Sequence, residues 1–110
     1  MNAPQDMIGA AVLPNIKAVA DFVCARFAVS ETDLISERRD GQLVRVRHIA
    51  IWLAVKVTGK SLPAIGRSFR RDHTTILYAK RRIEQKIATD AGFAAVAAQM
   101  LQMVVAEEPA

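Results

Sequence analysis

The sequence predicts an all-α domain of about six helices that carries a helix-turn-helix at residues 61–88. Three observations lead there. Apolar residues recur at spacings of three and four in several separate stretches, the mark of amphipathic helices. Most of these stretches follow a residue suited to capping a helix: Asn15, Ser30, Ser61, Asp72 and the pair Thr89-Asp90. Two of those starts, Ser61 and Asp72, stand about eleven residues apart in SLPAIGRSFRRDHTTILYAKRRI, Ser61 to Ile83. That spacing leaves a short helix, a tight turn and a second helix rich in Arg and Lys.

Residues 1–13 have no clear period and contain the breakers Pro4 and Gly9. They are expected to form a flexible arm, with residues 14–110 as a single helical domain. Asn15 caps a helix to about Phe27, whose stripe is Ile16, Val19, Ala20, Val23 and Phe27; Cys24 adjoins it as a small core residue. Ser30 opens a helix of a turn or so that points Leu34 and Ile35 inward. Glu37 to Gln42 reads as a polar loop with a turn at Asp40-Gly41. Leu43 to Thr58 is the longest periodic stretch. Val46, Ile49, Ala50, Leu53 and Val57 form its inner face with Trp52 beside it, and Gly59 follows as a left-handed C-cap. Ser61, with Pro63 in the opening turn, starts the first helix of the motif. Asp72, its carboxylate accepting free N–H groups, caps the second helix, His73 to about Ala88. Thr89-Asp90 caps a last helix, about 91–105.

Composition narrows the function classes. One cysteine in 110 residues forbids an intrachain disulfide. No apolar run approaches a membrane span, and no signal-peptide pattern opens the chain; a cytoplasmic, nucleoid-associated protein is expected. His48 and His73 belong to different elements with no Cys or acidic cluster nearby, so no metal site is expected. No Ser-His-Asp order, Gly-rich phosphate loop or paired carboxylates stand out, so neither catalysis, nucleotide binding nor a cofactor is expected. The charge is informative through its placement. Residues 36–86 hold thirteen Lys/Arg against four Asp/Glu, a net +9, while the rest of the chain nets −5. Basic charge gathered around a helix-turn-helix is the footprint of a polyanion binder.

On the second helix of the motif, Ile76, Ala79, Ile83 and Ile87 share one side; Thr74, Tyr78, Arg81 and Arg82 share the other, flanked by His73 and Thr75. Short polar residues come first and basic ones later, the order a groove-reading helix needs, with bases met by the first turn and phosphates by later cations. Asp72 can accept from cytosine N4, His73 can donate to a purine, and the methyls of Thr74 and Thr75 can pack on thymine. Arg81 and Arg82 are expected on phosphates. So are Arg45 and Arg47, which sit near a helix N-terminus where the dipole gives cations no reason to be. Lys60, Arg67, Arg70 and Arg71 complete the phosphate set. Tyr78 and Trp52 are read as packing residues.

SLPxIGRxF followed by RDHTT and an apolar residue resembles the C-terminal DNA-binding domain, domain IV, of the bacterial replication initiator DnaA. The likeness runs from about Ile16 to the C-terminus, and Arg71 to Thr75 is its specific part. The resemblance implies a Trp repressor-like helical fold and base contacts from Asp72, His73 and Thr74. It also implies that Arg39, in the basic loop, reaches into the minor groove, where narrow A·T-rich DNA attracts arginine. This chain departs from the family in its turn: the family usually reads FGGRDHTT, whereas Phe69-Arg70-Arg71-Asp72 is one residue shorter and has no glycine, the residue a positive-φ turn favours. It also has no Walker motif and no room for an ATPase domain.

The expected function is sequence-specific binding of double-stranded DNA by a stand-alone domain, as a small transcriptional regulator or a competitor at initiator boxes. The alternative is a protein-interaction adaptor that keeps the fold without base reading; strong salt dependence of DNA binding separates the two. The last helix, uncharged from Ala91 to Ala106, is expected to pack Phe93, Val96, Met100 and Val104 on the core. Ala97, Leu101, Met103 and Val105 are left as an apolar outer face for a homodimer through residues 91–105.

Overall fold

Helix starts follow the capping residues. In the computed structural model, whose described residues are 13–106, the chain forms α1 (Ile16–Phe27), α2 (Glu31–Ile35), α3 (Gly41–Val57), α4 (Leu62–Phe69), α5 (His73–Thr89) and α6 (Ala91–Ala106). The arm expected at 1–13 lies, but for Leu13, outside the described residues, as do residues 107–110. Asn15 Oδ1 accepts from Ala18 N–H at 2.8 Å, Ser30 Oγ from Asp33 N–H at 3.0 Å, Ser61 Oγ from Ala64 N–H at 3.2 Å and Asp90 Oδ1 from Phe93 N–H at 3.0 Å. Each such cap stabilises its helix by about 1 kcal/mol. Gly59 has φ +72°, as the left-handed stop after α3 requires.

Two local expectations are corrected. Asp40-Gly41 is not a turn: Asp40 occupies the N-cap position and α3 begins at Gly41. The Asp40 carboxylate takes Arg38 Nη2 at 2.6 Å instead of a helix N–H, and this bond, above all, lowers its pKa. Asp72 stands at the N-cap of α5 by backbone conformation but makes no side-chain cap bond.

α3 packs against all five other helices. Its stretch Ile49–Ala54 is buried without a break, so the helix is covered all round rather than along one face, and Trp52 is 2% exposed. An uncharged run of this kind is stable only at the centre of a bundle, where each large side chain contributes about 1.5–3 kcal/mol. Leu34 of α2, Ile65 and Phe69 of α4, and Ile76, Ala79 and Ile83 of α5 close the core from other sides. On α6 the inner stripe is Ala97, Met100 and Val104, with Phe93 half-buried. Ala97 and Val96 therefore exchange their expected places: Ala97 is buried and Val96 is 38% exposed. The small side chain is the one that lets α6 approach. Among the described residues no helix is long and apolar enough to cross a membrane.

Candidate nucleic-acid interface

The turn between α4 and α5 is held by two backbone features. Gly66 lies where a Cβ would stand 2.4 Å from the carbonyl oxygen of Arg71, so α4 and the turn touch through bare backbone. The Arg71 N–H donates back to the Gly66 carbonyl at 2.8 Å, the six-residue bond of a Schellman-type stop. Arg70 takes the left-handed conformation, φ 59° and ψ 42°. The shorter turn thus uses positive φ without glycine, carried by an arginine.

Beyond this turn Asp72, His73, Thr74 and Thr75 are all exposed. Three of them are linked in the free chain: Thr74 Oγ1 donates to Asp72 Oδ2 at 2.9 Å, and His73 Nδ1 lies 3.2 Å from Asp72 Oδ1. The Thr74 hydroxyl is the main reason the Asp72 carboxyl titrates below its ordinary value. With that hydroxyl engaged, Thr74 offers its methyl. On the opposite side Ile76, Ala79 and Ile83 are buried and Ile87 half-buried, so α5 cannot rotate without exposing them.

The thirteen cations of residues 36–86 divide into three groups. Arg38, Lys56, Lys80 and Lys86 have carboxylate partners. Arg39, Arg45, Lys60, Arg67, Arg70, Arg81 and Arg82 are exposed and have no ion-pair partner among the described residues. A cleft of about 920 Å³ gathers Arg39, Arg45, Arg70 and Arg82 with Thr75 and Tyr78. Lys60, Arg67 and Arg81 lie outside it. Tyr78 is 58% exposed and meets His48 edge-on, ring centres 6.0 Å apart; it is a surface residue of the cleft, not the packing residue expected. Trp52 does pack. His48, weighed in the sequence only as a metal ligand, also lines the cleft, and its pKa is lowered, first by burial and then by Arg82, Arg47 and Arg71.

Arg47 and Arg71 also line this cleft, but their guanidinium groups are engaged by backbone carbonyls. Arg47 is 4% exposed. Its Nε donates to Leu34 O at 2.6 Å, Nη1 to Arg38 O at 3.1 Å and Nη2 to Asp33 O at 3.2 Å. Arg71, half-buried, donates from Nη1 to Ile35 O (3.0 Å) and Phe69 O (2.9 Å) and from Nη2 to Ser36 O at 2.6 Å. Both guanidinium groups serve the α2–α3 connection. Burial is the leading cause that lowers each pKa, yet a guanidinium stays charged in proteins. Arg47 had one sequence signal of this role: it falls four residues after Leu43 and three before Ala50, inside the apolar stripe.

The family description "Bacterial dnaA protein helix-turn-helix" matches residues 16–83, more than half of the chain. The chain belongs to that family. A chromosomal replication initiator protein DnaA from Rhodopseudomonas palustris (strain BisB18) is 46% identical over 76 residues, which is 68% of this chain and 16% of that protein. One from Wolbachia sp. subsp. Brugia malayi (strain TRS) is 47% identical over 88 residues, 79% of this chain and 18% of that protein. The chain therefore spans less than a fifth of these curated relatives. A solved structure described as a DNA replication initiation factor superposes with a TM-score of 0.75 at 30% identity, covering 82% of this chain and 28% of that one. The matched residues run from the start of α1 into α5 and include α4 and the left-handed turn.

Proposed function

We propose that the chain binds double-stranded DNA sequence-specifically, with the start of α5 in the major groove and Arg39 in the adjacent minor groove. The observation that carries this reading is the set of seven exposed cations without carboxylate partners around a DnaA-type helix-turn-helix. His73, Thr74 and Thr75 read bases, with Asp72 holding the first two and accepting from a base. Arg45, Lys60, Arg67, Arg70, Arg81 and Arg82 take phosphates. The role is regulatory and non-catalytic: a regulator of transcription, or a competitor at initiator boxes, acting at the nucleoid in the cytoplasm. Selection from random duplexes followed by titration against salt tests it. If all six phosphate cations engage, log K falls with log salt at a slope near about −5. No enrichment, with no salt-dependent binding, refutes the reading.

Self-association through α6 is a narrower proposal than the sequence suggested. At 100° per residue, Val96 and Met103 share one flank of α6 while Val105 lies half a turn away. The outermost ridge is Ala95, Gln99 and Gln102. Any dimer through α6 rests on Val96 and Met103, beside the Arg26 guanidinium that approaches the Met103 sulfur at 4.0 Å. Sedimentation equilibrium at micromolar concentration tests it, and a mass of one chain, free and on two-site DNA, removes it.

A further inference from the structure

We infer that Arg71 and Arg47 are positioning residues for two-groove recognition: they fix the Arg39 loop at one distance and angle from α5. The inference rests on the DNA-binding reading above. Arg71 belongs to the turn that starts α5, and its guanidinium binds three carbonyls: that of Phe69 at the end of α4, that of Ile35 at the end of α2, and that of Ser36 in the α2–α3 connection. The group spans 35 and 36 residues of sequence and ties the first reader to the base of the loop carrying the second. Arg47 holds the same connection from α3, through Asp33, Leu34 and Arg38 carbonyls. Its bond to Arg38 O lies one residue before Arg39.

These six bonds matter because the loop has little else. Arg38 closes on Asp33 and Asp40, both within the loop or next to it, so those contacts shape the loop without attaching it to α5. The one remaining polar contact of the Arg38 backbone, from its N–H to Ser36 Oγ at 3.2 Å, is equally local. Arg39 itself is exposed and has no partner among the described residues. A planar fork with five N–H groups can hold several carbonyls at fixed angles; a lysine ammonium is a point charge on a flexible stem and cannot. Two readers on one rigid body bind both grooves without ordering the loop at the moment of contact.

The test compares wild type, Arg39→Ala, Arg71→Lys and the double variant on a selected duplex and on one altered only at the A·T edge. Wild type should prefer the selected edge by about 5–150-fold, the usual range for one base pair. Arg39→Ala should lose that preference. Arg71→Lys keeps the charge but should lose most of the same preference while retaining discrimination at the positions read by α5. In the double variant the edge preference should fall no further, because Arg71 acts through Arg39. Arg47→Lys repeats the test from the other side of the loop. Independently of any variant, backbone relaxation of the free wild-type chain should show Arg38 and Arg39 as ordered as α5. Edge preference intact in Arg71→Lys, losses that add in the double variant, or a loop mobile on the nanosecond scale overturns the inference. A uniform loss on every duplex with a shallower salt slope makes Arg71 a phosphate contact and also overturns it. Absence of any preference in wild type refutes the DNA-binding reading instead.

Discussion

Replacing Arg70 with glycine should stabilise the protein, although it removes a charged side chain from the turn of the recognition motif. Arg70 holds φ 59° and ψ 42°, a conformation that costs a residue with a Cβ about 1–2 kcal/mol. Glycine removes that strain but gains freedom in the unfolded chain, which offsets about 0.4–1 kcal/mol. The side chain is exposed and without a partner among the described residues, so its removal leaves no buried group behind. The balance is a gain of up to about 1.6 kcal/mol for Arg70→Gly, and in a domain near this size each 1 kcal/mol raises Tm by about 4–8 °C. Arg70→Ala keeps the strain and should leave Tm nearly unchanged. Urea and thermal unfolding by circular dichroism measure both. On DNA the two variants should behave alike, each lowering the salt slope by about 0.9. A glycine variant no more stable than the alanine variant refutes the assignment of strain to Arg70. A large difference between them in DNA affinity would mean that the turn, not the charge, sets the contact.

Three further outcomes follow from the same geometry. Gly66→Ala should cost about 1–3 kcal/mol in urea unfolding, because the new Cβ meets the Arg71 carbonyl at 2.4 Å; Arg70→Gly should not rescue it. Arg47→Ala should cost about 3 kcal/mol by the same measurement, since it strips a buried charged donor from three carbonyls. His48 has a folded-state pKa below its ordinary 6.5, so the unfolded chain takes up its proton first: stability should fall as pH drops below 6.5 towards the folded value, and His48→Gln should flatten that dependence.

The helices were legible because their signals are local. Asn15, Ser30, Ser61 and Asp90 announce their helices in sequence and cap them in the structure, and the faces of α5 follow from its period alone. What was not legible depends on competition between close neighbours or on distant chain. Asp72 and Asp40 have the right chemistry for caps but find nearer partners in Thr74 and Arg38. Val96 and Ala97 fit a helical stripe about equally; the approach of α6 to the bundle chose the smaller. Arg45 and Arg47 are both read as phosphate cations from the helix start they share, although Arg47 falls in the apolar stripe; the carbonyls of α2 and its following connection make it an internal brace. The family motif located Arg71 to Thr75, but not the carbonyls that Arg71 holds, and it did not include Arg47.

Trp52 is the only tryptophan in the chain, buried to 2%, with an indole N–H that has no hydrogen-bond partner among the described residues. An indole whose N–H makes no hydrogen bond emits towards the blue, and one buried from solvent resists aqueous quenchers. Trp52 lies on the side of α3 that carries Lys56 and faces Glu84 and α6, while the cleft with Arg45 and His48 opens elsewhere on the same helix. Its fluorescence should therefore shift to the red when the bundle opens and stay constant when a duplex docks, so a single native chromophore separates unfolding from binding in one cuvette.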